Sequence, residues 1–424
     1  MKEVDVLWFV EHIAREMDVA CIAKHMLESY YGVTTEVRHI YLHIRDNLKS
    51  YMPLVLVFPF FYKASDLAIE DYVERWPNAV YFNLAWEEIY YKTQAKLKVP
   101  GDFITKERVI HHAWGDFFKE YLVSSGVPTN HVFVNGNPAY QLYRDPYNLY
   151  YKPREQLARE HSLDPSLKWI FIPENYRWAF FSDQKLSKLV RQGADIDEVI
   201  ELRDFCKVSL LRLLAWCVEA SKYDTLQIIF RPRPATHSEE IKSLFQEHIG
   251  GTTGNLRIIK KESVREWIMA SDIVISSYST SLIEAAVADK PAYMVEPLPI
   301  PESLYCNWYD YVPRITTAQD FFDLCLSKTV NVPSRLKRWA ETEMLGRGDP
   351  IKGLVKYVSS LVQERRQQPL PQEHIIDRMK LRIKLNLPRR KVYFNTLTHE
   401  NDVFSAQDVV DRVASWRRIL GQVD

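Results

Sequence analysis

Short apolar runs alternate with amphipathic stretches along most of the chain. Residues 4–10, 34–41, 53–60, 79–83, 108–112 and 131–134 are brief, and rich in β-branched and aromatic residues, so they read as strands. Helical periodicity opens at Glu11 and runs to about residue 30, and returns from 114 to about 125. A second series follows, with strands at 168–173, 226–230, 256–259, 273–275 and 312–315 and another ending at Val295. Helices separate them at 154–161, 196–221, 263–270, 282–288 and 317–327. Strands alternating with helices at this spacing predict parallel, doubly wound sheets. Gly136-Asn137-Pro138 is the natural break, Gly giving backbone freedom and Pro fixing the exit. The expected organisation is a first domain over 1–140, a second over 141–349, a helix over 350–366 crossing back to the first, and a basic extension over 367–424.

Ligands of such sheets sit beyond the C-terminal strand ends, so polar residues just after strands carry the candidate chemistry. Glu11, Arg15 and Asp18 follow the first strand. Arg15 and Asp18 lie three apart on one helical face, where they can bind hydroxyls or pair with each other. Glu87 and Glu88 follow the fourth strand; a carboxylate there can serve as general base or nucleophile, or simply favour a helix start. His111 and His112 alternate on a strand, as a base or as core histidines. In the second series, Asn175 follows the first strand. Arg231-Pro232-Arg233-Pro234 follows the next and forms a rigid cationic turn, suited to phosphate oxygens or to surface ion pairs with Glu239 and Glu240. Arg231 is also the candidate that stabilises a departing phosphate. Ser279, Thr280 and Ser281 form a hydroxyl turn before a helix, which suits a phosphate or plain N-capping. Asp195-Ile196-Asp197 spells a metal motif but opens a long helix, where capping explains it; no metal is expected.

Composition narrows the class. A chain of 424 residues accommodates two domains of this size, and a formal net charge of zero offers no global field for nucleic acid. Five scattered Cys without a C-x-x-C argue for a reducing compartment and against a zinc site. No apolar run spans a bilayer and Lys2-Glu3-Val4-Asp5 is not a secretory start, so a cytoplasmic location is expected. Between Arg365 and Lys391, cations alternate with Met379, Leu381, Ile383 and Leu385. This suits peripheral contact with an anionic membrane, or a linker with an edge strand.

The stretch from Ser271 to Val295, SDIVISSYSTSLIEAAVADKPAYMV, resembles the late strand–turn–helix of GT-B glycosyltransferases. That resemblance implies that Ser279, Thr280 and Ser281 hold donor phosphates and that Glu284 contacts the ribose. Asp289 stands where Gly is common, and Ser276 where many retaining members have a first Glu. The ordered set of Glu11/Arg15/Glu16/Asp18, NLAWEEIY, HHAWG and GNP is similar to bacterial surface-carbohydrate biosynthesis proteins. The fold implied is GT-B-like, two doubly wound Rossmann-type domains facing a cleft. The implied function is a metal-independent glycosyltransferase that needs no cofactor beyond its nucleotide-sugar donor. It would extend a glycan or lipid-linked glycan, with Glu11, Arg15 and Asp18 binding the acceptor. A polyol-phosphate transferase of the CDP-glycerol type, a sugar-nucleotide 2-epimerase and a non-catalytic scaffold are the alternatives. Ser277-Tyr278-Ser279-Thr280, in place of Asp-Tyr-Ser-Ser, counts against the first; the lack of a Gly-Thr-Arg-Pro-Glu loop counts against the second.

Overall fold

The computed structural model describes residues 1–66, 68–91, 98–233, 236, 238–250, 255–368 and 402–421. Their strands form two six-stranded sheets in which the observed pairings are parallel. The described residues divide into two compact units. One is drawn from Met1–Glu88, Ala95–Tyr150 and Thr342–Asp424, the other from Ile89–Gln94 and Tyr151–Glu341.

The first unit contains β1 (Lys2–Val10), β2 (Thr35–His39), β3 (Tyr51–Phe58), β4 (Val80–Asn83), β5 (Val109–Ala113) and β6 (Val132–Val134), in the order β2-β1-β3-β4-β5-β6. From Val4 to Val10, β1 is buried throughout, as expected of a parallel strand covered on both faces. An aromatic cluster fills one layer of the core, with Phe9 stacked on Tyr72 at 4.4 Å and Tyr72 on Trp76 at 5.8 Å. The chain order reverses between β1 and β3, so the crevice beyond their C-terminal ends is the place for a ligand.

Two late helices complete this unit. Helix Pro350–Gln367 starts at Asp349, whose carboxylate accepts the N–H groups of Ile351 and Lys352. Its Tyr357 stacks on Phe133 at 3.8 Å, and Arg366 pairs with Asp5 at 2.7 Å. Helix Ala406–Leu420 opens with a Ser405/Asp408 capping box and lies on helix Asp18–Tyr31. Its buried Trp416 stacks on Tyr150 at 4.1 Å.

The second unit contains β7 (Lys168–Pro173), β8 (Leu226–Arg231), β9 (Leu256–Ile258), β10 (Ile273–Ser276), β11 (Ala292–Val295) and β12 (Arg314–Ile315), in the order β12-β11-β10-β7-β8-β9. Counted within the unit, this is the 3-2-1-4-5-6 order of dinucleotide-binding folds, with its switch point between β7 and β10. Asp195 caps the long helix Ile196–Ala220, accepting from the N–H groups of Asp197 and Glu198, as the capping reading of that motif requires. Asp289, at the position where the resemblance expects Gly, has φ 58° in the left-handed region that Gly adopts most readily.

The strand readings match the observed strands to within a few residues. The structure adds short helices that the periodicity did not show, among them Ile44–Ser50, Ile69–Arg75 and Asp183–Arg191. No helix among the described residues is long and apolar enough to cross a membrane. The basic stretch that suggested membrane contact lies, from residue 369 to 391, outside the described residues.

Candidate functional site

In the first unit, a pocket of about 280 Å³ opens at the β1/β3 switch point. It is lined by Glu11, His12 and Arg15 after β1, Pro59, Phe60 and Tyr62 after β3, Trp86 and Glu87 after β4, and Lys98. Local structure explains the convergence. A wide π-helical turn, Ile13–Met17, links β1 to helix Asp18–Tyr31. Leu84 N–H donates to Phe58 O and Trp86 N–H to Pro59 O, joining the exits of β4 and β3. Between them Ala85 adopts φ 48°, and Asn83 Oδ1 accepts its N–H at 3.0 Å. This turn sends Trp86 and Glu87 to the pocket.

Arg15 is the hub. Its guanidinium donates to Glu87 at 2.7 Å and grips buried Glu16 through Nε at 3.0 Å and Nη2 at 2.6 Å, with Glu11 at 3.5 Å. Glu16 accepts from Glu11 N–H through its other oxygen at 2.7 Å. Lys98 Nζ donates to Glu87 at 2.6 Å. Burial would raise the Glu87 carboxyl, but Arg15 and Lys98 outweigh it and hold it at about 2. Burial pushes Glu11 up.

Four other candidates sit elsewhere. Glu88 is buried away from the pocket lining; its Oε2 accepts Trp114 N–H at 2.8 Å, and burial pushes its pKa well above the usual carboxylate value. Asp18 is buried on helix Asp18–Tyr31, where Arg412 at 2.8 Å and Trp416 Nε1 at 3.4 Å donate to it. His111 and His112 are core residues, hydrogen-bonded to Thr105 O and Leu84 O, and burial lowers both to about 4.

In the second unit, the remaining candidates gather beyond the ends of β7, β8 and β10. Asn175 Nδ2 donates to Tyr278 O at 3.4 Å, across the switch point. Ser276 Oγ donates to Pro173 O over the same gap. Beneath them buried Glu174 accepts the N–H groups of Tyr176 and Arg233, joining the exits of β7 and β8; burial raises its pKa. Arg231 Nη2 donates to Glu262 O at 2.9 Å.

Four cations follow the neighbouring strands in two interacting pairs, Arg177 with Arg233 after β7 and β8, and Lys260 with Arg231 at the ends of β9 and β8. Burial and the neighbouring charge of Arg233 lower Arg177; burial and Arg231 lower Lys260, whose Nζ donates to Thr236 O at 2.9 Å. Within each pair the like charges disfavour one another, which a bound anion would relieve. In the following turn, Ser281 N–H donates to Ser279 Oγ at 3.3 Å, and the two hydroxyls are 3.2 Å apart. Thr280 is exposed and makes no side-chain cap, and Glu284 is half-buried one turn further on. Lys260 escaped the sequence reading although it follows a strand, as did His12; Lys98 escaped it too, whereas Glu16 entered only through the resemblance's acidic set.

One group among the described residues has metal-ligand chemistry: Glu160, His161 and Glu262. Lys152 Nζ already bridges the two carboxylates, at 2.5 Å from Glu160 and 3.2 Å from Glu262, and His161 Nε2 lies 2.6 Å from Glu262.

No family model and no curated protein sequence matches the chain. Solved structures do. S. aureus MnaA with UDP superposes with a TM-score of 0.53 at 11% identity, covering 87% of this chain and 99% of that one. UDP-GlcNAc 2-epimerase from Neisseria meningitidis bound to UDP-GlcNAc gives 0.51 at 12%, with 86% and 99% covered. The wall teichoic acid polymerase TagF gives 0.52 at 12%, with 86% and 90% covered. At these identities the likeness is one of fold, and the chain shares their GT-B-like fold, built on two Rossmann-type sheets.

Proposed function

We propose that the protein transfers a group from a nucleotide-diphosphate-linked donor to a hydroxyl acceptor in bacterial surface-glycan biosynthesis. The observation that carries this is the run of cations Arg177, Arg231, Arg233 and Lys260 along the ends of β7, β8 and β9, beside the switch point of a sheet with dinucleotide-binding strand order. These cations bind the diphosphate, Ser279, Thr280 and Ser281 add donors, Asn175 shapes the floor, and Glu284 takes the ribose. Arg231 and Arg233 stabilise charge on the departing phosphate. The mixed-charge pocket around Glu11, Arg15 and Glu87 binds the acceptor.

A polyol-phosphate donor of the CDP-glycerol type is the favoured form. Moving a phosphoryl group asks for cationic compensation along the whole diphosphate, which four cations supply, and TagF shares the fold. UDP-sugar chemistry is the second reading, supported by the shared fold of two enzymes solved with UDP ligands. A thermal-shift panel of CDP-glycerol, UDP-N-acetylglucosamine, CMP and UDP on wild type and Arg231→Ala separates them. A ligand that binds only the native state raises the midpoint by mass action. A rise with the cytidine ligands alone, lost in Arg231→Ala, is expected. A rise with uridine ligands alone selects the second reading, and no rise with any ligand removes both.

A further inference from the structure

A residue from the far end of the chain reaches the rim of the first unit's pocket. Asp402 Oδ2 lies 2.8 Å from His12 Nδ1, and its Oδ1 accepts the N–H of Ile13 at 2.8 Å. The two-point hold fixes the carboxylate, and the carboxylate fixes the ring. With Nδ1–H given to Asp402, the basic lone pair is on Nε2, which lies 3.8 Å from Glu11 Oε2. His12 lines the pocket and its side chain is 37% exposed, whereas that of Asp402 is 11% exposed. The histidine thus meets the ligand and the aspartate stands behind it, the base–orienter geometry of nucleophile activation.

Glu87 and Glu16, the acids that Arg15 holds most closely, are already engaged. Glu87 is paired with both Arg15 and Lys98. Glu16 has one oxygen on Arg15 and the other on Glu11 N–H. Glu11 lies beside Arg15 and His12, where it can hold the imidazolium that forms. Burial would press the His12 pKa down, but the bond to Asp402 and the charge of Glu11 overcome it, with Arg15 opposing, and the net direction is up. A raised pKa makes the neutral ring a stronger base.

We propose that His12, oriented by Asp402, is the general base that takes the proton from the hydroxyl bound in this pocket. The proposal rests on the reading of the pocket as the acceptor site. In the step, the acceptor oxygen bonds to the transferred centre, the phosphorus of a polyol phosphate or the carbon of a sugar. The bond from that centre to the nucleotide's phosphate oxygen breaks, and the nucleotide leaves with the electron pair. The hydroxyl proton passes to His12 Nε2. Asp402 is a positioning residue and stays ionised.

Two readouts on the full-length protein decide it. Nitrogen-15 histidine spectra of wild type, with His12→Asn for assignment, report the tautomer. Nδ1–H is expected at alkaline pH, with a lower titration midpoint in Asp402→Asn, whose amide oxygen still accepts from Ile13 N–H. An Nε2–H ring overturns the proposal whether or not a substrate is known. The second readout is nucleotide release from CDP-glycerol and UDP-N-acetylglucosamine, with glycerol as hydroxyl acceptor. His12→Asn should lose about 10²- to 10⁴-fold in kcat while keeping the wild-type thermal shift with the donor. In Asp402→Asn the acidic limb of the pH–rate profile should move down with the histidine's titration. A His12→Asn enzyme within about threefold of wild-type kcat overturns the assignment. Wild type with no donor shift would instead be a failure of the transferase reading, and the tautomer would still decide the dyad.

Discussion

Glu88 sends its carboxylate into the core, where Trp114 N–H meets one oxygen and burial favours the protonated acid. Its neighbour Glu87 stays at the pocket, 54% exposed and flanked by two cations. Because the folded-state pKa of Glu88 is raised, its contribution is whole below the ordinary value of 4.5 and is lost as pH climbs from there through the folded value. Glu88→Gln keeps an acceptor for Trp114 and does not titrate. In urea unfolding the mutant should therefore gain on wild type as pH rises, whereas Glu88→Ala, which strands the Trp114 N–H, should cost about 1–3 kcal/mol. A difference between Gln and wild type that is flat with pH would show that Glu88 is not held neutral. Glu87 runs the other way. Its pKa is depressed, so its contribution is present above 4.5 and lost as pH falls toward about 2. Because solvent screens a half-exposed pair, Glu87→Gln should cost less than about 1 kcal/mol at neutral pH, and the difference should close in acid. Its larger effect should be on acceptor KM, since it releases Arg15 and Lys98.

At the scale of elements, helix Pro350–Gln367 depends on Gly136 in the turn after β6. Gly136 has φ 78°, and a Cβ there would lie 2.3 Å from Leu345 O and 2.9 Å from the ring of Pro350. Gly136→Ala meets backbone as well as the left-handed penalty, so a loss of about 2–4 kcal/mol in urea unfolding is expected. A loss below about 0.5 kcal/mol would mean that this turn relaxes freely. The Gly-Asn-Pro motif was readable as a turn after a strand, but its partner could not be read, because Leu345 and Pro350 lie some two hundred positions away. The same distinction runs through the fold. Parallel strands such as β1 and β7 are continuous apolar runs and stand out, whereas Ile44–Ser50 and Ile69–Arg75 are helices of about two turns, stabilised by what they pack on. In the site, Glu11, Arg15, Glu87, Arg231 and Arg233 were legible because each follows a strand. Their pairings were not. His12 meets Asp402 across 390 positions, and no local pattern announces it.

Across the whole molecule, a chain of zero net charge sorts its charges between the two sheets. At the first switch point, Glu11, Glu16, Glu87 and Asp402 surround Arg15, His12 and Lys98. Along the ends of β7, β8 and β9, Arg177, Arg231, Arg233 and Lys260 outnumber the two acids that act on them, Glu240 and buried Glu174. An anionic nucleotide should therefore choose the second sheet. Binding to the native state at a hundred times Kd adds about 2.7 kcal/mol against unfolding of the unit that binds it. Native-state hydrogen exchange resolves where that energy appears. With CDP-glycerol, or with UDP-N-acetylglucosamine if that is the binding ligand, the slowest amides of β7, β8 and β10 should gain about that amount at saturation. The gain should vanish in Arg231→Ala and persist in His12→Asn. A gain confined to β1 and β3 would place the nucleotide in the Arg15 pocket instead. The donor and acceptor roles would then be exchanged, with Arg15 and Lys98 as the phosphate ligands and Glu87 displaced from both.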